Sequence, residues 1–140
     1  MSTEENKAAS RRIIEEAWNK GNLAVVDELI ASNYVVRGFG EAEFNGPDGF
    51  RQLVTMYRTA FPDLRTTIDD TVAEGDRLAL RYTLRGTHKG DLMGIAPTGK
   101  QVTITGAVFA RFEGGKQVEA FGYADSLIMF QQLGVAPPGG

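Results

Sequence analysis

Arg77-Leu78-Ala79-Leu80-Arg81-Tyr82-Thr83-Leu84-Arg85 alternates without a break: Leu78, Leu80, Tyr82 and Leu84 fall on one side of an extended chain, the arginines, Ala79 and Thr83 on the other. A period of two is the mark of a strand with one dry face and one wet face. Working outward, Glu74-Gly75-Asp76 reads as a turn, and the stretch from Arg65 to Ala73 before it is strand-like. Downstream, a third strand runs from about Gln101 to Phe112, Gly114-Gly115 turns the chain, and a fourth runs from Lys116 to about Ala124. The expectation is a meander of antiparallel strands, followed by a short closing helix from Ser126 to Leu133 that Gly134 ends.

The first third has the other period. Ser2-Thr3-Glu4-Glu5 has the S-x-x-E form of a capping box, and Ala9, Ile13, Ile14, Ala17 and Trp18 recur at helical spacing until Lys20-Gly21. Asn22 can cap a second helix with Leu23, Val26 and Ile30 on one face. Pro47 opens a third, striped by Phe50, Leu53, Val54, Tyr57 and Phe61 and stopped by Pro62. Between them Tyr34-Val35-Val36-Arg37 reads as a short strand. Gly38-Phe39-Gly40, between Arg37 and Glu41, is either a lid or an exposed connection. Pro137-Pro138-Gly139-Gly140 reads as a frayed tail.

Helices first and strands afterwards predict segregated α+β, with a curved antiparallel sheet packed against three N-terminal helices and a cavity on its concave face. With 140 residues, 42% of them hydrophobic, the chain can form one domain (residues 1–140) with a core that needs no staples. Cysteine is absent, which excludes disulfides, thiolate nucleophiles and Cys-type zinc sites. A net charge of -3, with fifteen scattered basic residues, gives no broad surface for a nucleic-acid backbone. No apolar run is long enough for a spanning helix. The start lacks the basic region and apolar stretch of a signal peptide, so the expected location is cytoplasmic.

Metal binding is not expected, because His88 is the single histidine and Asp69-Asp70, being adjacent, point to opposite faces of a strand. No phosphate-binding glycine loop occurs, so no nucleotide is implied. The informative loop is Arg85 to Lys100. Extending the alternation from Leu84 puts Gly86 and His88 on the inward face. There His88 is either a proton donor or acceptor at a pocket mouth or a half-buried histidine that holds the loop. The second stretch is Glu119-Ala120-Phe121-Gly122-Tyr123-Ala124-Asp125. Phe121, Tyr123 and Asp125 share one face, so the two aromatics make a pocket wall and desolvate a carboxylate fit for proton transfer. Equally, Asp125 caps the closing helix. Trp18 and Tyr57 are either core residues or ligand contacts.

Several segments together resemble the SnoaL-like polyketide or ester cyclase family of the nuclear transport factor 2-like superfamily. They are Phe61-Pro62-Asp63-Leu64, Glu74-Gly75-Asp76-Arg77, Gly86-Thr87-His88-Lys89-Gly90, Gly94-Ile95-Ala96-Pro97-Thr98-Gly99-Lys100, and Asp125 followed by Gln132-Leu133-Gly134. The resemblance spans roughly residues 8 to 135. It implies a cone-shaped barrel of mixed, mostly antiparallel sheet, self-associated as a homodimer or higher homo-oligomer, with a small hydrophobic or aromatic ligand. It also implies intramolecular aldol cyclisation of a polyketide-type ester without metal or organic cofactor. Carried over, Asp125 is the general acid/base and His88 lines or polarises the site; Arg37, Trp18, Tyr57, Phe121 and Tyr123 are candidate substrate contacts read from the residues themselves. The chain departs from the family at Arg37, where many members have histidine, and at Phe121, where many have tryptophan. Arg37 either favours an anionic group or points outward. The alternatives to an enzyme are a non-catalytic ligand carrier and an interaction module that uses the exposed sheet face. For an oligomer, Val102, Ile104 and Val108 are candidates for a buried sheet face.

Overall fold

A computed structural model describes residues 2–39 and 42–136, apart from the side chains of Phe39, Ala42 and Glu43. Helix α1 (Thr3–Arg12) starts in the predicted capping box: Ser2 Oγ accepts from Glu5 N–H, and the Glu5 carboxylate accepts from Ser2 N–H. The chain then continues as a π-helical segment, Ile13–Asn19. Its wider turn keeps Ile13, Ile14 and Ala17 buried together and brings Trp18 alongside. After a 3-10 turn (Leu23–Val25) capped by Asn22, α2 (Val26–Leu29) is only one turn long. Ile30, expected on that helix, instead turns extended and opens β1 (Ile30–Phe39).

The strand read at 34–37 is therefore longer than expected, and a short β2 (Ala42–Asn45) pairs antiparallel beside it. Gly38 belongs to this strand and not to a lid. Its φ is +102°, and a Cβ there would lie 1.8 Å from the Gly122 carbonyl oxygen, so only glycine lets β1 lie so close to the neighbouring strand. Gly40 and Glu41 lie outside the described residues, as do Pro137 to Gly140.

Helix α3 (Gly46–Ala60) has Pro47 in its first turn and buries Phe50, Leu53 and Val54. The meander follows as β3 (Arg65–Glu74), β4 (Arg77–Thr87), β5 (Gln101–Glu113) and β6 (Lys116–Ala124), and α4 (Ser126–Leu133) closes the chain. The sheet order is β2-β1-β6-β5-β4-β3, and among the described residues β1 with β6 is the one parallel pair. The α+β cone expected from the sequence is the observed architecture.

Leu78, Leu80 and Leu84 face inward as their period requires, and all three are buried. Val102 and Ile104 are buried on the same concave side, and Val108 packs against that core. The expectation that these three supply an intermolecular sheet face is thus corrected. A β-bulge between Ile68 and Asp70 also corrects the reading of the Asp pair. Both aspartates are exposed, Asp69 accepting from Thr83 Oγ1 at 2.6 Å and Asp70 standing opposite Arg81.

Two side-chain amides fasten helical segments to strands. Asn19 accepts from Thr66 N–H at 2.7 Å and donates to Thr66 O at 2.9 Å. Gln132 does the same at Thr103, at 2.8 and 2.9 Å.

The short motifs prove to be neighbours in space. Gly86 leaves room for Phe61, whose Cβ would stand 2.8 Å from an added Cβ. The Asp63 carboxylate accepts from both the backbone N–H and the hydroxyl of Thr87, each at 2.7 Å. Those two donors hold the Asp63 carboxyl below its ordinary value. A depressed carboxyl contributes stability above the unfolded-state value of about 4, and that contribution is lost as pH falls through the folded value. Asp63→Asn is therefore expected to flatten the acid side of the stability curve. The difference should stay within about 1 kcal/mol because the carboxylate is exposed. Urea midpoints between about pH 3 and 7 measure it, and an unchanged acid limb would sink the assignment.

Candidate functional site

The concave face does not pack solidly against the helices. A cavity of about 80 Å³ remains. Ile14 and Trp18 of the π-helical segment and Tyr57 of α3 form one wall. The sheet contributes Thr66, Tyr82, Leu84, Ile104 and Val108, and the end of β6 and start of α4 contribute Ala124, Ser126 and Met129. A smaller void of about 50 Å³ shares Ile14, Trp18 and Val108 with it. Trp18 meets Tyr57 edge-on at 5.9 Å, so the indole is held by the cavity's own aromatic wall.

Trp18 and Tyr57 are therefore on the cavity, as the ligand-contact reading requires. Tyr82 is a further polar group there that the sequence reading left among the core residues. The available signal was a phenol interrupting a row of leucines. Its ring lies where a Gly106 side chain would be: an added Cβ would stand 2.4 Å from the Tyr82 oxygen. Burial pushes the Tyr57 phenol up to about 12, with Tyr82 close by as a second cause, and burial raises Tyr82 as well. Both hydroxyls stay protonated at neutral pH and can donate to an oxygen that gains negative charge.

Asp125 sits between two cavity residues, Ala124 and Ser126. Strand β6 ends at Ala124, so the alternation does not carry on through Asp125. Its side chain is exposed and caps α4, accepting from Ile128 N–H at 3.3 Å, while its own N–H bonds to Thr105 O. The capping reading is what the geometry contains. The expected desolvation by Phe121 and Tyr123 is corrected, because those rings lie on the outer face of the sheet. Tyr123 is 59% exposed, and Phe121 pairs across the strands with exposed Phe109. Arg37 is on that outer face too, its guanidinium 5.8 Å from the centre of the Phe121 ring. None of Arg37, Phe121 and Tyr123 lines the cavity.

His88 does point inward, but beneath the 88–100 loop and not into the cavity. It is fully buried and packs against Phe61. Nδ1 lies 3.1 Å from Thr98 Oγ1 and 3.2 Å from Thr98 N, so the ring is tied to the loop. Its backbone bonds Lys100 O and Gly99 N–H. The pocket-mouth reading of His88 is corrected to the loop-holding one. The loop itself is pinned to the end of α3, with Lys89 and Gly90 N–H both donating to Ala60 O, and Leu92 is wholly buried. His88→Ala is expected to lower stability by about 2–4 kcal/mol through loss of a buried ring. Calorimetry reads the loss, and a melting temperature equal to wild type would contradict this role.

Among the described residues, no three His, Asp or Glu side chains converge on a point that could hold a metal ion, and no helix is long and apolar enough to cross a membrane.

Comparison with known proteins agrees with this architecture. The family model described as SnoaL-like polyketide cyclase matches residues 8–133. The aklanonic acid methyl ester cyclases of Streptomyces sp. strain C5 and Streptomyces peucetius are each 30% identical over 127 residues. The match covers 89% of this chain and 78% and 87% of those proteins. AclR from Streptomyces galilaeus superposes with a TM-score of 0.82 at 31% identity, over 97% of this chain and all of that one.

Proposed function

The chain belongs to the SnoaL-like polyketide cyclase family, and on that premise we propose that it is a cofactor-independent acid/base enzyme that closes a ring in a polyketide-type ester. The observation that supports the reading is an apolar cavity walled in part by two phenols, Tyr57 and Tyr82, that burial keeps protonated; Asp125, whose chain neighbours Ala124 and Ser126 line that cavity, is the proton carrier the family resemblance implies. The substrate class is an aromatic polyketide methyl ester with an acidic C–H between two carbonyls. The Asp125 carboxylate, one oxygen of which is held by Ile128 N–H, takes that proton on its other oxygen. The enolate carbon attacks a ketone carbon of the same molecule, and the proton returns to the new alkoxide. One C–C bond forms, one C=O π bond is lost, and the composition is unchanged. The Tyr57 and Tyr82 hydroxyls, kept neutral by burial, donate to the oxygens that become negative. Holding the two carbons together supplies up to about 7–11 kcal/mol, so one proton carrier suffices.

The test is incubation with a panel of aromatic polyketide methyl esters, with ring closure followed by mass-neutral changes in absorbance and chromatography. Ser126→Trp, an exposed position on the cavity rim, serves as the blocked control. Closure by the wild type that the blocked variant lacks is the expected result. Tight binding with no closure would instead make the protein a ligand carrier.

The same reading includes self-association through the outer sheet face. Val72, Ala79, Phe109 and Phe121 stand in one row across four strands, and Tyr123 is beside them. Phe109, Tyr123 and Val72 are each more than half exposed. The flanking rows carry both signs, Glu74, Arg77, Arg111 and Glu119 on one side and Asp70 and Arg81 on the other. A second copy can thus meet the apolar row with opposite charges in reach. Phe109→Glu is expected to give a folded monomer in sedimentation. A variant of unchanged mass in solution would remove this face from the assembly.

A further inference from the structure

The cavity is small for the ligand just assigned to it. An apolar cavity of about 150 Å³ is what holds a single benzene, and this one measures about 80 Å³. A ligand of polyketide size must therefore extend beyond it. On the other side of Ile14 and Thr66, which line both spaces, lies a groove of about 640 Å³ between the first helical segment and the sheet edge at β3. Basic residues that are scattered in the sequence gather there: Lys7, Arg11, Lys20 and Arg65 line it, against the single carboxylate of Glu15.

The lysines already have surface partners, Glu4 and Glu16, each at 3.4 Å. Arg11 and Arg65 make no ion pair among the described residues. Arg65 also stands directly opposite Arg85 across β3 and β4, a like-charge pairing that costs stability until an anion relieves it. Asn19, Thr66 and Thr67 add polar groups to the same walls.

We propose that this groove receives the anionic end of an amphipathic ligand whose apolar part enters the cavity, so that the substrate class is an aromatic ester bearing a free carboxylate remote from the reacting carbons. The inference rests on the cavity being the ligand site. Arg11 and Arg65 supply paired donors to the carboxylate, and Ile14 and Thr66 form the threshold between the two parts.

Trp18 is the sole tryptophan and lines the cavity, so its fluorescence reports occupancy. The probes are anthraquinone-2-carboxylate and its methyl ester, titrated against the full chain. The acid is expected to bind about tenfold or more tighter than the ester. That ratio should fall towards one in Arg11→Gln/Arg65→Gln and in about 0.5 M salt, and persist in Lys116→Gln, whose ammonium bonds Asp27 O and does not line the groove. Quenching by both probes with equal affinity would overturn the groove assignment and leave the cavity reading standing. A ratio unchanged in the double arginine variant would do the same. Quenching by neither probe would overturn the cavity reading, and the groove assignment with it.

Discussion

Asp125→Asn is expected to lower ring closure by about 10²–10⁴ while ligand affinity and melting temperature stay near wild type, since a positioned acid/base contributes a rate factor of that size. The choice of asparagine matters because Asp125 has a second duty. It caps α4 through Ile128 N–H, and Asn caps about as well as Asp. Asp125→Ala would remove the cap as well, at about 1 kcal/mol, and disturb the helix that carries Met129 on the cavity wall. Loss of rate in the alanine variant alone would therefore say nothing about proton transfer. Full turnover by the asparagine variant would remove Asp125 from the chemistry and leave it as a helix cap.

A large effect on folding is expected at Gly90. A Cβ there would lie 2.0 Å from the Thr59 carbonyl oxygen and 3.4 Å from Ala60 Cα. Neither atom can rotate away, because both belong to the backbone at the end of α3. Gly90→Ala must lift the loop, which breaks the paired bonds from Lys89 and Gly90 N–H to Ala60 O and loosens buried Leu92. Overpacking of this kind costs about 3 kcal/mol or more. Gly75 is the useful contrast, since its φ is +59° but nothing crowds a Cβ within 4 Å. Gly75→Ala is expected to cost about 1 kcal/mol, the conformational part alone. Urea unfolding of the two variants side by side separates crowding from backbone preference, and equal losses would show the contact at Thr59 to be soft.

Most of the scaffold was legible because its two periods are clean. Leu78 to Leu84 could only be a half-buried strand, and Phe50, Leu53 and Val54 only a helix face. What escaped was either short or depended on which face turns inward. β2 has four residues and no pattern of its own. The π-helical turn uses the same side chains as an α-helix would. On β6 the alternation separates Phe121 and Tyr123 from Ala120 and Gly122, and hydrophobicity alone sends the aromatics inside. The cone interior opposite β6 is already filled by Trp18, Tyr34 and Phe50, so small residues face it and the large rings are turned out. Of the two readings of His88, the loop-holding one matches its neighbours, since beyond Gly86 the inward side is covered by the chain's own loop. In the candidate site, the cavity position of Trp18 and Tyr57 was within reach of the sequence. The role of Tyr82 depends on Gly106, a strand away in space and far along the chain.

The amides of Asn19 and Gln132 do more than tie helices down. β3 is an edge strand, and β5 around Thr103 runs past the end of its pairing with β6. Bare backbone at such places is a template on which another molecule of the same chain can add itself. At Thr66 and at Thr103 a side-chain amide occupies both the N–H and the C=O, as a neighbouring strand would. Removing either amide uncovers a growth point, so the symptom to watch for in those variants is slow fibrillar precipitation of a chain that still folds.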